Sequence, residues 1–190
     1  MTQESALAPD VLHDAQERAR ELIRGGFQEP DEIVESLVDF LDDQGLTEEQ
    51  AEQIVVPLWE ERLAEQAGWP EVTDVDRLVE AFDSLEADGI VAAMDFTCCS
   101  SCGYAEIGGE ADEDSRGFVF FHEQDTERAV AGGGLTLRYG GFRHSEEETT
   151  EVGRDVVAAL AEAGLNARWT GSPDEAITVT PLNWLHRLPE

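Results

Sequence analysis

The sequence predicts an α/β protein of mixed, α+β character: a sheet of about five strands covered by helices, preceded by an N-terminal helical unit. Three observations carry this. Up to residue 68 the apolar residues recur at helical spacing between acidic ones. From Thr73 onward, short apolar runs alternate with helical stretches, as in strands joined through helices. The last two runs, LNARWT and AITVT, are separated only by GSPDE, too short for a crossover, so they form a C-terminal antiparallel hairpin. The chain is accordingly read as a helical unit, residues 1–68, and a mixed α/β domain, residues 69–190.

In the helical unit, PDVLHDAQERARELIRGGF runs from Pro9, suited to a first helical turn, to a stop at Gly25 and Gly26. PDEIVESLVDFLDDQG places Ile33, Val34, Leu37, Val38 and Leu41 on one face and ends at Gly45. TEEQAEQIVVPLWEERLAEQAG opens on a capping box of Thr47 and Gln50. Its apolar stripe is Ile54, Val55, Leu58, Trp59 and Leu63. Pro57 falls inside that stripe without the N–H the ladder needs, and is expected to kink the helix or end it early. GWPEV then connects the two units.

TDVDRLVEAFDSLEADG is a capped helix, with Asp74, Asp76 and Arg77 capping and pairing at its start, Leu78, Val79, Phe82 and Leu85 inward and Gly89 as its stop. IVAAMDF is a nearly continuous apolar run and reads as a buried strand. The cysteines follow at a helix start, with Thr97 as N-cap and Cys98 and Cys99 in the first turn. After an acidic loop, GGEADEDSRG, come a strand FVFFH, a short helix EQDTERAVAGGG and a strand LTLRYGG. SEEETTEVGRDVVAALAEAG is a long helix burying Val152, Val156, Val157 and Leu160. The connections between the first four strands each carry a helix and are long enough for parallel crossovers.

The 43 acidic residues against 12 basic ones, all arginine, give a net charge of −31. Such a surface repels phosphate backbones and anionic lipid heads, so neither nucleic acid nor membrane is an expected partner. A basic protein or metal cations fit better, and the simplest reading is a solubilising, salt-adapted surface; the expected partner is an unknown protein or small molecule. No apolar run reaches the ~18 residues of a membrane span. MTQESALAPDVLHD has neither the basic nor the apolar segment of a signal peptide. With three cysteines and no export signal, a disulfide framework is a poor explanation, and the cytoplasm is the expected address.

All three cysteines, Cys98, Cys99 and Cys102, fall within DFTCCSSCGYAEI, and three readings stay open. As a redox dithiol, Cys99-Ser-Ser-Cys102 has C-x-x-C spacing at a helix start, where free N–H groups and the dipole stabilise a thiolate. Cys99 would then attack and Cys102 resolve. As a metal site, Cys98 or Cys99 joins Cys102 and His122, with Glu123 or Asp125 as a fourth ligand. Zinc is the candidate ion, but the second ligand pair of a structural zinc site is missing. As packing residues, the cysteines are small hydrophobes between sheet and helix. His122 leads a dense polar group with Gln124, Asp125 and Thr126; Asp125 or Thr126 caps the short helix, or the group lines a site with the cysteines.

Other motifs fail. DEDSRGFVFFHE has acidic residues at positions 1, 3 and 12 of a calcium loop and glycine at 6, but Arg116 stands where an oxygen ligand belongs. AGGGL precedes a strand rather than a helix and reads as a turn, not a phosphate cradle. His13, His144 and His186 are isolated, and no G-x-S-x-G, Walker or H-E-x-x-H motif occurs. No catalytic residue is assigned. The expectation is a non-catalytic protein that binds a partner or small ligand close to Cys98–Cys102 and His122, with a thiol redox protein and a zinc-stabilised module as alternatives.

WPEVTDVDRLVEAFDSLEADGIVAAMDFTCCSSCGYAEI, GFVFFHEQDTERAVAGGGLTLRYG and LNARWTGSPDEAITV together resemble a bacterial, mainly actinobacterial, family, domain of unknown function 6891. The likeness spans about Trp69 to Trp184 and rests on FTCC-x-x-CG and F-x-H-x-QDTE-x-A-x-x-GGGL. It implies that Cys98, Cys99, Cys102, Gly103, His122, Gln124, Asp125, Thr126 and Gly132 to Gly134 sit on signature segments, and it brings no established activity. Tyr104 stands where the family pattern often has histidine, and Glu175-Ala176 lies where an arginine often precedes the final strand. A ligand or base at the first place and an anion contact at the second are therefore not expected in this chain.

Overall fold

The computed structural model describes residues 7–143 and 145–189; His144 lies outside them. The chain divides into two compact units. One runs to Pro70 and takes in the tail from His186, and the other is Glu71–Leu185.

The first unit holds α1 (Pro9–Gly25), α2 (Pro30–Phe40) and α3 (Glu48–Gln66). Gly26, at φ 82°, stops α1 in the left-handed region that glycine enters without steric cost. The Thr47 box forms as expected: the Gln50 N–H donates to Thr47 Oγ1 at 3.3 Å and the Thr47 N–H to Gln50 Oε1 at 3.1 Å. Ala15, Ala19, Ile33, Leu37 and Val55 are fully buried at the centre. The tail closes on this unit, with Leu188 in its core and the Leu188 N–H on Gln66 Oε1 at 3.1 Å.

Two expectations for α3 need correction. Pro57 does not end the helix, which continues to Gln66. Beyond it the apolar stripe shifts: Leu63 is 43% exposed, and Arg62 is buried instead. Ala51, Val55, Leu58 and Arg62 follow one another at helical spacing, so position 62 inherits the inner face. Its long apolar stem suits that place, and its guanidinium lies 4.3 Å from the Trp69 ring centre and 3.1 Å from Glu65.

The second unit contains α4 (Asp74–Ala87), β1 (Ile90–Ala93), α5 (Ser100–Glu106), β2 (Gly117–Phe120), α6 (Glu123–Val130), β3 (Leu135–Gly141), α7 (Glu146–Glu162), β4 (Ala167–Arg168) and β5 (Ile177–Val179). The strands form one mixed sheet in the order β1-β2-β3-β5-β4. β1 and β2 are parallel, Ile90 opposite Gly117. Every other pair is antiparallel. The α6 connection therefore returns antiparallel, against the expected crossover: its length permits a crossover without requiring one. β1 lies at the sheet edge with only Ile90 buried, not as an interior strand.

β2 shows how the layers are made. Successive side chains alternate faces, so Gly117 and Val119 look one way and Phe118 and Phe120 the other. Gly117 lies under Val152 of α7, and α4 and α7 cover that face with Leu78, Phe82, Leu85, Val156 and Leu160. On the opposite face Phe118 and Phe120 pack with Ile107, beneath α5. Gly103 makes that contact possible, because a Cβ there would overlap the fully buried Phe120 ring. Gly103→Val is expected to cost about 2 kcal/mol, since overpacking of ~1–3 kcal/mol outweighs the gain in helix propensity of a few tenths. Urea unfolding checks this; an unchanged midpoint would mean that α5 lifts freely from the sheet.

Candidate functional site

β1 ends at Ala93, and the chain then makes an unusual turn. Asp95 has φ 50° and Thr97 φ 63°, both in the left-handed region, without a glycine. For a β-branched residue such as Thr97 that conformation costs on the order of 1–3 kcal/mol and persists only where its surroundings hold it. Three backbone hydrogen bonds do so: Phe121 N–H to Ala93 O at 3.3 Å, Phe96 N–H to Phe121 O at 2.8 Å, and Glu123 N–H to Thr97 O at 3.2 Å. They fasten the turn to the junction between β2 and α6. Thr97 is thus not the N-cap; its hydroxyl donates to Cys99 O at 3.2 Å. The helix begins at Ser100 with Cys99 as the capping residue, so Cys98 and Cys99 precede the first turn and Cys102 lies within it.

This turn gathers the thiols. The Sγ atoms of Cys98, Cys99 and Cys102 all lie within 4.8 Å of one another, close enough to hold a metal ion. Cys98 Sγ, outside the C-x-x-C pair, lies 3.7 Å from Cys102 Sγ. All three are free, Cys98 exposed and the other two partly so. The Cys102 N–H, aided by the neighbouring thiols, holds the Cys99 thiol below its ordinary value. Contact with Cys99 and Cys98 pushes Cys102 up to about 11. The cluster therefore favours one thiolate, centred on Cys99, and resists a second.

A second, buried group lies where α6 starts. His122 is 4% exposed and Asp125 is 0% exposed. Asp125 Oδ2 accepts from the His122 backbone N–H at 3.2 Å, which caps the helix, and sits 3.1 Å from His122 Nε2. The same oxygen meets the Arg138 guanidinium from β3. Burial lowers the His122 pKa, so the imidazole is neutral and donates Nε2–H to the carboxylate. Its Nδ1 and Asp125 Oδ1 are buried with no hydrogen-bond partner. The Thr126 hydroxyl donates to Asp95 Oδ1 at 2.5 Å, and burial above all raises the Asp95 carboxyl to about 6.

The expected ligand set of Cys99, Cys102 and His122 is not the one that converges. Cys98 takes the third place in the thiol group, while His122 pairs with Asp125. Gln124 is exposed, so it shares the segment but not the buried group. Asp95 and Arg138 belong to that group and carry no motif. Their only signals are an acid ending an apolar run and a cation on the face of β3 opposite Leu135, Leu137 and Tyr139. The rejected calcium loop closes on itself: Asp112 Oδ1 accepts from the Asp114 N–H at 3.0 Å and the Ser115 hydroxyl at 2.8 Å.

The family model for a domain of unknown function, DUF6891, matches residues 8–188. The chain belongs to that family. The DUF6891 match takes in the helical unit as well as the α/β unit, beyond the Trp69–Trp184 stretch that carries the signature segments. No curated protein and no solved structure matches the chain. Among the described residues, no helix is long and apolar enough to cross a membrane.

Proposed function

We propose that this DUF6891 protein is a metal-binding protein in which Cys98, Cys99 and Cys102 hold one thiophilic ion, zinc foremost. The observation that carries the reading is the Sγ spacing, 3.7 Å for Cys98 to Cys102 and under 4.8 Å throughout. A tetrahedral zinc with Zn–S bonds of about 2.3 Å needs S–S edges of about 3.8 Å, so the thiols already stand near three corners of that figure. Binding requires them as thiolates. Without an ion, charge on Cys99 opposes charge on Cys102; a dication at the centre reverses that opposition. Three protein donors leave a fourth position for water or another ligand, as in open rather than closed zinc sites. The strained turn at Asp95 and Thr97 presents the donors from a fixed backbone. Exposed free thiols suit a reducing compartment, so the cytoplasm is the proposed address.

The test uses the reduced full-length chain, loaded with zinc sulfate, desalted and analysed for metal and for alkylatable thiols. The expected result is one zinc per chain, with all three thiols shielded until a chelator is added. Cys98→Ser, Cys99→Ser and Cys102→Ser should each weaken binding at least ~100-fold, since each removes one of three anionic donors. Zinc below a tenth of an equivalent, with three freely alkylated thiols, would overturn the proposal.

A further inference from the structure

A cleft of about 600 Å³ opens on the α/β unit, and no cysteine lines it. Its volume falls within the ~300–1,000 Å³ of small-molecule sites. The floor is aromatic, with Tyr104 from α5, Phe118 from β2 and Phe142 just past β3. Tyr104 is 52% exposed and presents its ring to the cleft. Its plane stands at 80° to that of Phe118 with ring centres 6.0 Å apart, and Phe118 and Phe142 are 5.4 Å apart. Phe118 is 7% exposed and Tyr104 packs against it edge to face, so the ring the cleft offers is Tyr104, whose negative face can hold an alkylated ammonium group. The rim adds Glu146 and Asp174, and among the described residues no basic side chain lines the cleft. The net charge of −31 supports the same sign of ligand at longer range.

We infer that this cleft binds a small organic cation, an alkylated ammonium carried on an apolar body, at a site separate from the thiols. The ammonium sits against Tyr104, Glu146 and Asp174 balance its charge, and the apolar body covers Phe142 and the exposed edge of Phe118. A simple anion is disfavoured by the two carboxylates, and a neutral aromatic gains nothing from them.

The experiment titrates benzyltrimethylammonium into the full-length chain and follows the ring-proton shifts of Tyr104 and Phe118. Benzyl alcohol and phenylacetate serve as the neutral and anionic comparisons. The cation is expected to bind at least tenfold more tightly than either. Tyr104→Ala, checked for an unchanged urea midpoint because the ring also packs on Phe118 and Phe120, should weaken it at least fivefold. Glu146→Gln with Asp174→Asn should weaken it about threefold and flatten its salt dependence. Glu35→Gln with Asp39→Asn, at exposed positions of the helical unit, should leave the affinity unchanged. Equal binding of all three probes, or an affinity indifferent to Tyr104→Ala, would overturn the inference. So would a loss at Glu35 and Asp39 as large as that at the rim, because the attraction would then belong to the acidic surface as a whole.

Discussion

Asp125→Ala is expected to destabilise the α/β unit by about 3–5 kcal/mol, the usual cost of stripping one partner from a buried ion pair. The Asp125 side chain is completely buried and the Arg138 side chain is 17% exposed, so water replaces only part of what is removed. One oxygen, Oδ2, serves the Arg138 guanidinium, the His122 backbone N–H and His122 Nε2. The substitution leaves a cation and two donors without acceptors, in a region of low polarisability where unpaired groups are most costly. The pair itself need not be stabilising, since desolvation opposes its attraction. Asp125→Leu combined with Arg138→Met is therefore expected to recover at least half of the loss, leaving mainly the penalty of the two orphaned His122 donors, ~1–3 kcal/mol. Hydrogen exchange of the β2 and β3 amides reads this unit apart from the helical one. A loss below about 1 kcal/mol for Asp125→Ala would mean that Arg138 swings to solvent, and that this group does not hold α6 to the sheet.

The fold was legible where local chemistry decides it. Thr47, Thr73 and Ser145 each accept from the N–H three residues on, and each opens the helix it announces. Strand order was not legible, because β5 enters between β3 and β4 through pairings such as Leu135 with Val179, far apart in sequence. Nothing in LTLRYGG or AITVT names its neighbour. Arg62 is a similar case: its charge predicts exposure, and only the presence of Trp69 and Glu65 together makes burial tolerable.

The candidate site divides in the same way. Three cysteines within five residues announce a cluster, yet the member that completes it depends on a turn that DFT does not advertise. A left-handed position usually appears as glycine or asparagine, and here aspartate and threonine fill two of them because the β2–α6 junction over-determines the backbone. The partnership of His122 with Asp125 was readable as short-range helix chemistry. Its third member, Arg138, comes from a different strand, and no local pattern could supply it.

Asp95 lies where turn and buried group meet, and its replacement by asparagine should make the protein more stable near neutral pH. Burial, followed by the nearby Glu123 and Glu127 charges, raises its carboxyl from 3.8 to about 6, while the Thr126 hydroxyl opposes the shift only in part. A raised acid binds its proton more tightly folded than unfolded. Stability is therefore greatest below 3.8, declines as pH climbs from there towards 6, and stays reduced above. The full shift corresponds to about 3 kcal/mol, which residual exposure of the side chain lowers. Asparagine carries no charge at any of these values, can still accept from Thr126, and tolerates the left-handed φ at least as well as aspartate. In urea unfolding with reductant and chelator present, the advantage of Asp95→Asn over the parent should therefore grow by about 1–2 kcal/mol between pH 4.5 and pH 8. Acidic groups remote from Asp95 titrate alike in both proteins and cancel in the comparison, while Glu123 and Glu127 belong to the coupled group that the substitution probes. A gap independent of pH would place Asp95 in water in the folded state, and its hydrogen bond to Thr126 could not then be what fastens the cysteine turn to α6.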